Sequence, residues 1–205
     1  MKLLKTSISV LFATVTFVSL PRIIFAQTPV IESTNVNVID VETPIVNRAI
    51  TKSEVLAAQK AWGEALVAIA TTYDNNGIEA ASSLAGRVID EAYGYQFGIV
   101  LFNPTLTVRP QTFRTTRAGA LAYFVGNDPE FPNDQGFALG GWRKVEIKNA
   151  GIFISGNTAT TMGNVTLTDK DGNITTVDKT WQFFKDDNGK LRIIVHHSSL
   201  PFTEK

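Results

Sequence analysis

Both histidines of the chain stand side by side near its C-terminus, in the run IIVHHSSLPF that starts at Ile193. His196 and His197 close an apolar stretch, and two hydroxyl residues, Ser198 and Ser199, follow at once. An imidazole that titrates near neutrality can accept a proton and pass it on. A serine hydroxyl both donates and accepts hydrogen bonds. A metal centre fits these groups less well. A zinc site of three histidines is out of reach for one chain with two, and neighbours on a strand point to opposite faces. There is no cysteine, so a thiol nucleophile and a thiolate-held metal are excluded. No carboxylate has a clear ligand spacing to either histidine. The expectation is a site with no metal and no cofactor; a mixed or intersubunit metal site is the other reading.

Alternation sorts the pair. Leu191, Ile193 and Val195 share a strand face with His197 and Ser199, whereas Arg192 and Ile194 share the other with His196 and Ser198. The first face is the more apolar, so strict alternation directs His197 and Ser199 inward. A bulge would exchange the two pairs, and both remain candidates.

The elements that must hold these groups read as an α+β chain. TKSE at 51–54 has capping-box spacing, Thr51 to Glu54. Val55, Trp62, Leu66, Ile69 and Tyr73 then form one apolar stripe of a long helix. DNNG at 74–77 predicts a stop at Gly77. A second helix is expected over 78–92 with Leu84, Val88 and Ile89 inward, followed by a strand over Ile99–Val108 in which Pro104 marks an edge or a bulge. A third helix fits TTRAGALAYFVGN, with Ala118, Leu121 and Val125 on one side and Gly126 and Asn127 at its end. Four strands follow: FALGGWRKVEI, GIFISGNTATTMGNVTLTD, ITTVDKTWQFFKD and KLRIIVHHSS. DKDGN at 169–173 and DDNG at 186–189 are hairpin turns between them. Helices and strands segregate. The expected architecture is a cone-shaped half-barrel, three N-terminal helices packed in a strongly curved antiparallel sheet, with a pocket between first helix and sheet.

MKLLK, the apolar run SISVLFATVTFVSL and the small residue Ala26 read as a secretory signal over 1–26. The apolar run is short for a bilayer span, and Pro21 and Arg22 interrupt it; an uncleaved anchor is the other reading. Cleavage would leave no stable membrane association and a chain exported to the periplasm or an equivalent envelope or lumenal compartment. Residues 27–50 read as an extended arm or linker and 51–205 as one domain. An exported chain without cysteine has no disulfide framework, so its core must hold the fold unaided. Formal charge is zero, without a basic cluster, which argues against nucleic acid as partner.

The order of elements resembles the nuclear-transport-factor-2-like superfamily, with its SnoaL-like proteins and kinase association domains. Four segments sharpen the likeness: YGYQFGIVLFNPT at 93–105, GALAYFVGND at 119–128, GFALGGWRKVEI at 136–147 and DKTWQFFKDDNGKLRIIVHHSSLPF at 178–202. Together they resemble the iota-class carbonic anhydrases, including members that lack a metal. The resemblance implies a homodimeric, metal-independent carbonate dehydratase (a lyase) that interconverts carbon dioxide and bicarbonate. Two hydroxyls fall in the marked segments, Thr105 and Tyr123. The implied catalytic set is Thr105, Tyr123, His197 and Ser199, with His196 and Ser198 binding substrate.

Two other functions fit the same fold. One is an isomerase or cyclase, which needs a deep carboxylate base. The other is a non-catalytic oligomerisation or small-ligand-binding module in which HHSS is structural. Tyr93, Tyr95, Trp142 and Trp181 read as core or interface residues, and Asp90 and Glu91 as a solvated helix end.

Overall fold

In the computed structural model, which describes residues 47–202, the first helix α1 (Lys52–Ala92) begins at the expected capping box. The Glu54 amide donates to Thr51 Oγ1 at 3.2 Å, and the Thr51 amide donates to Glu54 Oε2 at 2.8 Å. The expected leader at 1–26 and nearly all of the expected arm at 27–50 lie outside the described residues. Val55, Trp62, Leu66 and Ile69 are buried as their spacing requires, whereas Tyr73 is 37% exposed.

Gly77 breaks the helical backbone with φ 79° and ψ −175°, but Ile78 resumes the helix at once. The chain therefore kinks without separating into two elements, and two α-helices are present among the described residues where three were expected. The second, α2 (Arg117–Val125), is capped by Thr116 and stopped by Gly126. Its buried face is rotated from the expected one. Ala118 is exposed and Leu121 half-buried, because Tyr123 and Phe124 turn inward onto Phe102 at ring distances of 5.4 and 5.9 Å.

The sheet comprises β1 (Leu101–Asn103), β2 (Trp142–Ser155), β3 (Thr158–Asp169), β4 (Ile174–Lys185) and β5 (Leu191–Ser199), in the order β1-β5-β4-β3-β2. The four long strands pair antiparallel, but β1 runs parallel to β5. An entirely antiparallel sheet is thus corrected: β1 reaches its neighbour only after the rest of the domain, so no short hairpin fixes its direction. It is also shorter than expected, because Pro104 has no amide to continue the ladder. The expected strand break before Gly151 is corrected as well. β2 runs on to Ser155 through a register shift between Asn149 and Gly151, and the hairpin turns at Gly156 and Asn157. The turns at 169–173 and 186–189 close as predicted, with Asp169 N–H on Asn173 O and Asp186 N–H on Lys190 O.

Trp62, Leu66 and Ile69 of α1 share one core with Val165, Leu167, Trp181 and Phe183 of the sheet. A buried ion pair fastens the segment after β1 to the segment after α2: Arg114 donates to both carboxylate oxygens of Asp134 at 2.8 and 2.6 Å. Arg192 of β5 donates to the Asp90 and Glu91 carbonyls at the end of α1, where the helix macrodipole favours a cation.

Candidate active site

The inward face of β5 is decided by one unpaired residue. Gln182 pairs with Val195 and Phe183 with Ile193, so Ile194 has no partner on β4. This bulge reverses the alternation that Leu191 and Ile193 begin. His196 and Ser198 are consequently buried, 2% and 5% exposed, while His197 is exposed and Ser199 half-buried on the opposite face. The inward placement of His197 and Ser199 from strict alternation is corrected accordingly.

The same end of the sheet gathers the hydroxyls. Thr105, just past Pro104, donates to Ser198 Oγ at 2.6 Å. The parallel register of β1 on β5, Phe102 opposite His196, brings Thr105 to that level. Tyr123 reaches the same region from α2, its ring 5.4 Å from that of Phe102, which itself stacks on His196 at 4.3 Å. Burial above all, then the Asp134 carboxylate, pushes the Tyr123 pKa far up, so it stays a neutral donor. The structure thus unites Thr105, Tyr123, His196 and Ser198, and leaves His197 and Ser199 outside.

His196 is held on every side. Phe102 stacks on its ring at 4.3 Å, and Trp62 meets it edge-on at 5.7 Å. Nδ1 lies 2.8 Å from the Tyr93 hydroxyl, which in turn accepts from Trp62 Nε1 at 3.1 Å. Nε2 lies 2.7 Å from Lys179 Nζ. Burial, reinforced by the Lys179 and His197 charges, holds its pKa well below the usual imidazole value. His196 is therefore neutral, with both ring nitrogens engaged. It has no lone pair to spare for an ion, and among the described residues no three of His, Asp and Glu stand together as metal ligands.

Tyr93 caps the end of α1 in an extended conformation. The Gly94 amide donates to the Ile193 carbonyl at 3.0 Å, and a Cβ on Gly94 would lie 3.0 Å from Ile194 Cγ2. A bare backbone there lets the strand come close enough to seat Tyr93 against His196. Burial raises the Tyr93 pKa well above its ordinary value.

Lys179 belongs to no motif in the sequence, and Tyr93 is expected there only as a core or interface residue. A signal for Lys179 was present: in VDKTWQF it has the same parity as Val177, Trp181 and Phe183, all buried. A cleft of about 440 Å³ opens beside Tyr123, walled by Leu106, Phe137 and Trp142. A larger one of about 790 Å³ between α1 and β2 contains none of the clustered groups.

The residues at 53–200 match a family model described as metal-independent carbonic anhydrase. A curated protein of that name from Nostoc sp. (strain PCC 7120 / SAG 25.82 / UTEX 2576) is 68% identical over 206 residues, covering all of both chains. A crystal structure of an iota-carbonic anhydrase from a cyanobacterium, complexed with bicarbonate, is 76% identical. It is matched over 80% of this chain and all of that one, with a TM-score of 0.77.

Proposed function

The chain belongs to the metal-independent carbonic anhydrases, and from that premise we propose that it interconverts carbon dioxide and bicarbonate at the Thr105–Ser198 hydroxyl pair. Because Thr105 gives its proton to Ser198, the Ser198 proton is free to point at a substrate oxygen. The Thr105 oxygen keeps lone pairs to hold the attacking water. Tyr123, neutral and close to the same segment, is a second donor. Water attacks the carbon, negative charge grows on a carbon dioxide oxygen, and these fixed donors meet it. A pre-aimed donor in a dry site is worth about 3 kcal/mol in the transition state. Phe102, Trp62 and Trp181 keep bulk water away from the cluster, which strengthens each of these interactions. His196 and Ser198 take the inner roles first assigned to His197 and Ser199.

The observation that carries this reading is the 2.6 Å hydroxyl pair set next to a neutral, buried imidazole. Stopped-flow hydration of carbon dioxide, before and after dialysis against a strong chelator, tests it. Equal rates support hydroxyl catalysis; a loss that zinc restores contradicts it.

The finer architecture is a cone-shaped half-barrel, a reading supported by the packing of α1 on one face of the sheet in a shared core. The outer face supports a homodimer: Phe153 and Met162 are 72% and 61% exposed there, and His197 continues the Met162–Thr180 row. The basic and apolar character of residues 1–26 supports a cleaved leader, an arm at 27–50, a domain over 51–205 and export to a periplasmic or lumenal compartment.

A further inference from the structure

Ser198 and Thr105 are anchored differently. Ser198 lies inside a strand and pairs with Lys179 on β4. Thr105 lies past the end of β1, which keeps three register positions on β5. Pro104 has no amide to carry the ladder further. The sheet ladder therefore stops short of Thr105, although its hydroxyl lies 2.6 Å from Ser198 Oγ. The position of that hydroxyl has to be set by the loop that carries it.

The loop is closed at its base by the Arg114 amide, which donates to the Phe102 carbonyl at 2.8 Å. Across it, Thr107 Oγ1 donates to the Pro104 and Thr112 carbonyls, each at 3.1 Å. One hydroxyl thus ties the outgoing arm, with Thr105, to the returning arm. Arg114 locks the returning arm in turn. Its Nη1 donates to the Gln111 and Phe113 carbonyls at 2.7 and 3.0 Å. Its Nε and Nη2 take the two Asp134 oxygens at 2.8 and 2.6 Å. The guanidinium lies over the Phe131 ring at 4.7 Å, and the Tyr95 hydroxyl donates to the Arg114 carbonyl at 2.8 Å.

The ion pair is also packed on α2, the helix that bears Tyr123. A Cβ on Gly119 would lie 3.2 Å from Arg114 Cδ, and one on Gly126 would lie 3.1 Å from the Asp134 carbonyl oxygen. A side chain only 2% exposed is therefore set against both elements that supply hydroxyls, the loop with Thr105 and the helix with Tyr123.

We propose that Arg114 and Thr107 are positioning residues for the carbon dioxide site, clasping the 104–113 loop so that Thr105 meets Ser198 at hydrogen-bonding distance. This rests on the reading that the Thr105–Ser198 pair carries the hydration. Their part is geometric, and no proton passes through them. A planar fork is required, because one side chain must meet a carboxylate and two loop carbonyls in fixed directions; a lysine ammonium has no such fork. A displacement of Thr105 by about 1 Å would take the pair out of hydrogen-bonding range. Misplacement on that scale costs about 100-fold in rate.

Threonine-methyl spectra of the wild-type protein, T107V and R114K test this beside stopped-flow hydration. Three-bond couplings of the Thr105 methyl carbon report its χ1 rotamer. The wild-type residue is expected to hold one rotamer, and both variants to average over more than one. Hydration is expected to fall about 10- to 100-fold in each variant. A role in folding alone would lower the thermal midpoint and leave the Thr105 rotamer fixed. A rotamer that stays fixed in one variant removes that residue from the clasp, and a rotamer fixed in both overturns the proposal. T107V exchanges a half-buried hydroxyl for a methyl group and decides alone if R114K fails to fold. An averaged Thr105 rotamer with a wild-type hydration rate would sink the functional reading at the hydroxyl pair and leave the clasp standing.

Discussion

Thr105 and Ser198, 93 residues apart in the chain, place their hydroxyl oxygens 2.6 Å apart at the end of two parallel strands. Each has a function only if the other is present: Thr105 frees the Ser198 proton, and Ser198 orients the Thr105 lone pairs. Thr105→Ala and Ser198→Ala should each lower the hydration rate about 100- to 1,000-fold, the cost of one fixed transition-state donor. The double variant should lose little more than either single one. Stopped-flow rates beside thermal midpoints check this, since a core role would lower both together.

The two histidines should separate cleanly. His197→Asn changes an exposed side chain and should leave the hydration rate within about twofold, as surface substitutions do. His196→Asn strips Lys179 and Tyr93 of their partner inside the core. It should cost about 1–3 kcal/mol of stability for unpaired buried groups and most of the activity. Denaturant unfolding and rate assays on both variants make the comparison.

Local rules carried much of the fold. Thr51 and Glu54 announce the helix start, Gly126 its counterpart's end, and the two Asp- and Gly-containing turns their hairpins. Each of these is settled by neighbours in sequence. The histidine pair was not, because the bulge at Ile194 arises where β5 meets Phe183 and Gln182 of another strand. The Tyr93–His196 bond joins residues 103 apart, which no local pattern records. Lys179 was legible by parity, but a lysine on a strand is usually solvated, and that expectation hid it.

Burial of Lys179 gives stability a defined pH dependence. Its folded pKa is about 7 against an ordinary 10.5. Between these values the unfolded chain binds a proton that the native one does not, so stability rises with pH across this window. The rise should be visible in thermal midpoints from pH 7 to about 9.5, before unfolded tyrosines begin to ionise. In K179M it should vanish, and the variant should gain most at pH 7. A midpoint that falls over this interval in the wild-type protein contradicts the buried setting of Lys179.

The kink in α1 makes a backbone prediction. Gly77 has φ 79° with no heavy atom within 4 Å of a would-be Cβ. Gly77→Ala therefore meets no neighbour, and its whole cost is conformational, about 1–3 kcal/mol for this nearly glycine-only region. Urea unfolding should show that loss, with the hydration rate unchanged because Gly77 stands outside the cluster.

Oxygen-18 exchange between labelled carbon dioxide and water, followed in metal-stripped wild-type protein and in the Thr105→Ala/Ser198→Ala double variant, bears most directly on the central claim. With far less than one metal ion per chain, the wild-type protein should exchange label at its full rate, and the double variant about 1,000-fold more slowly. A wild-type rate that collapses on stripping and returns with zinc would contradict the account, and so would a double variant that exchanges label as fast as the wild type.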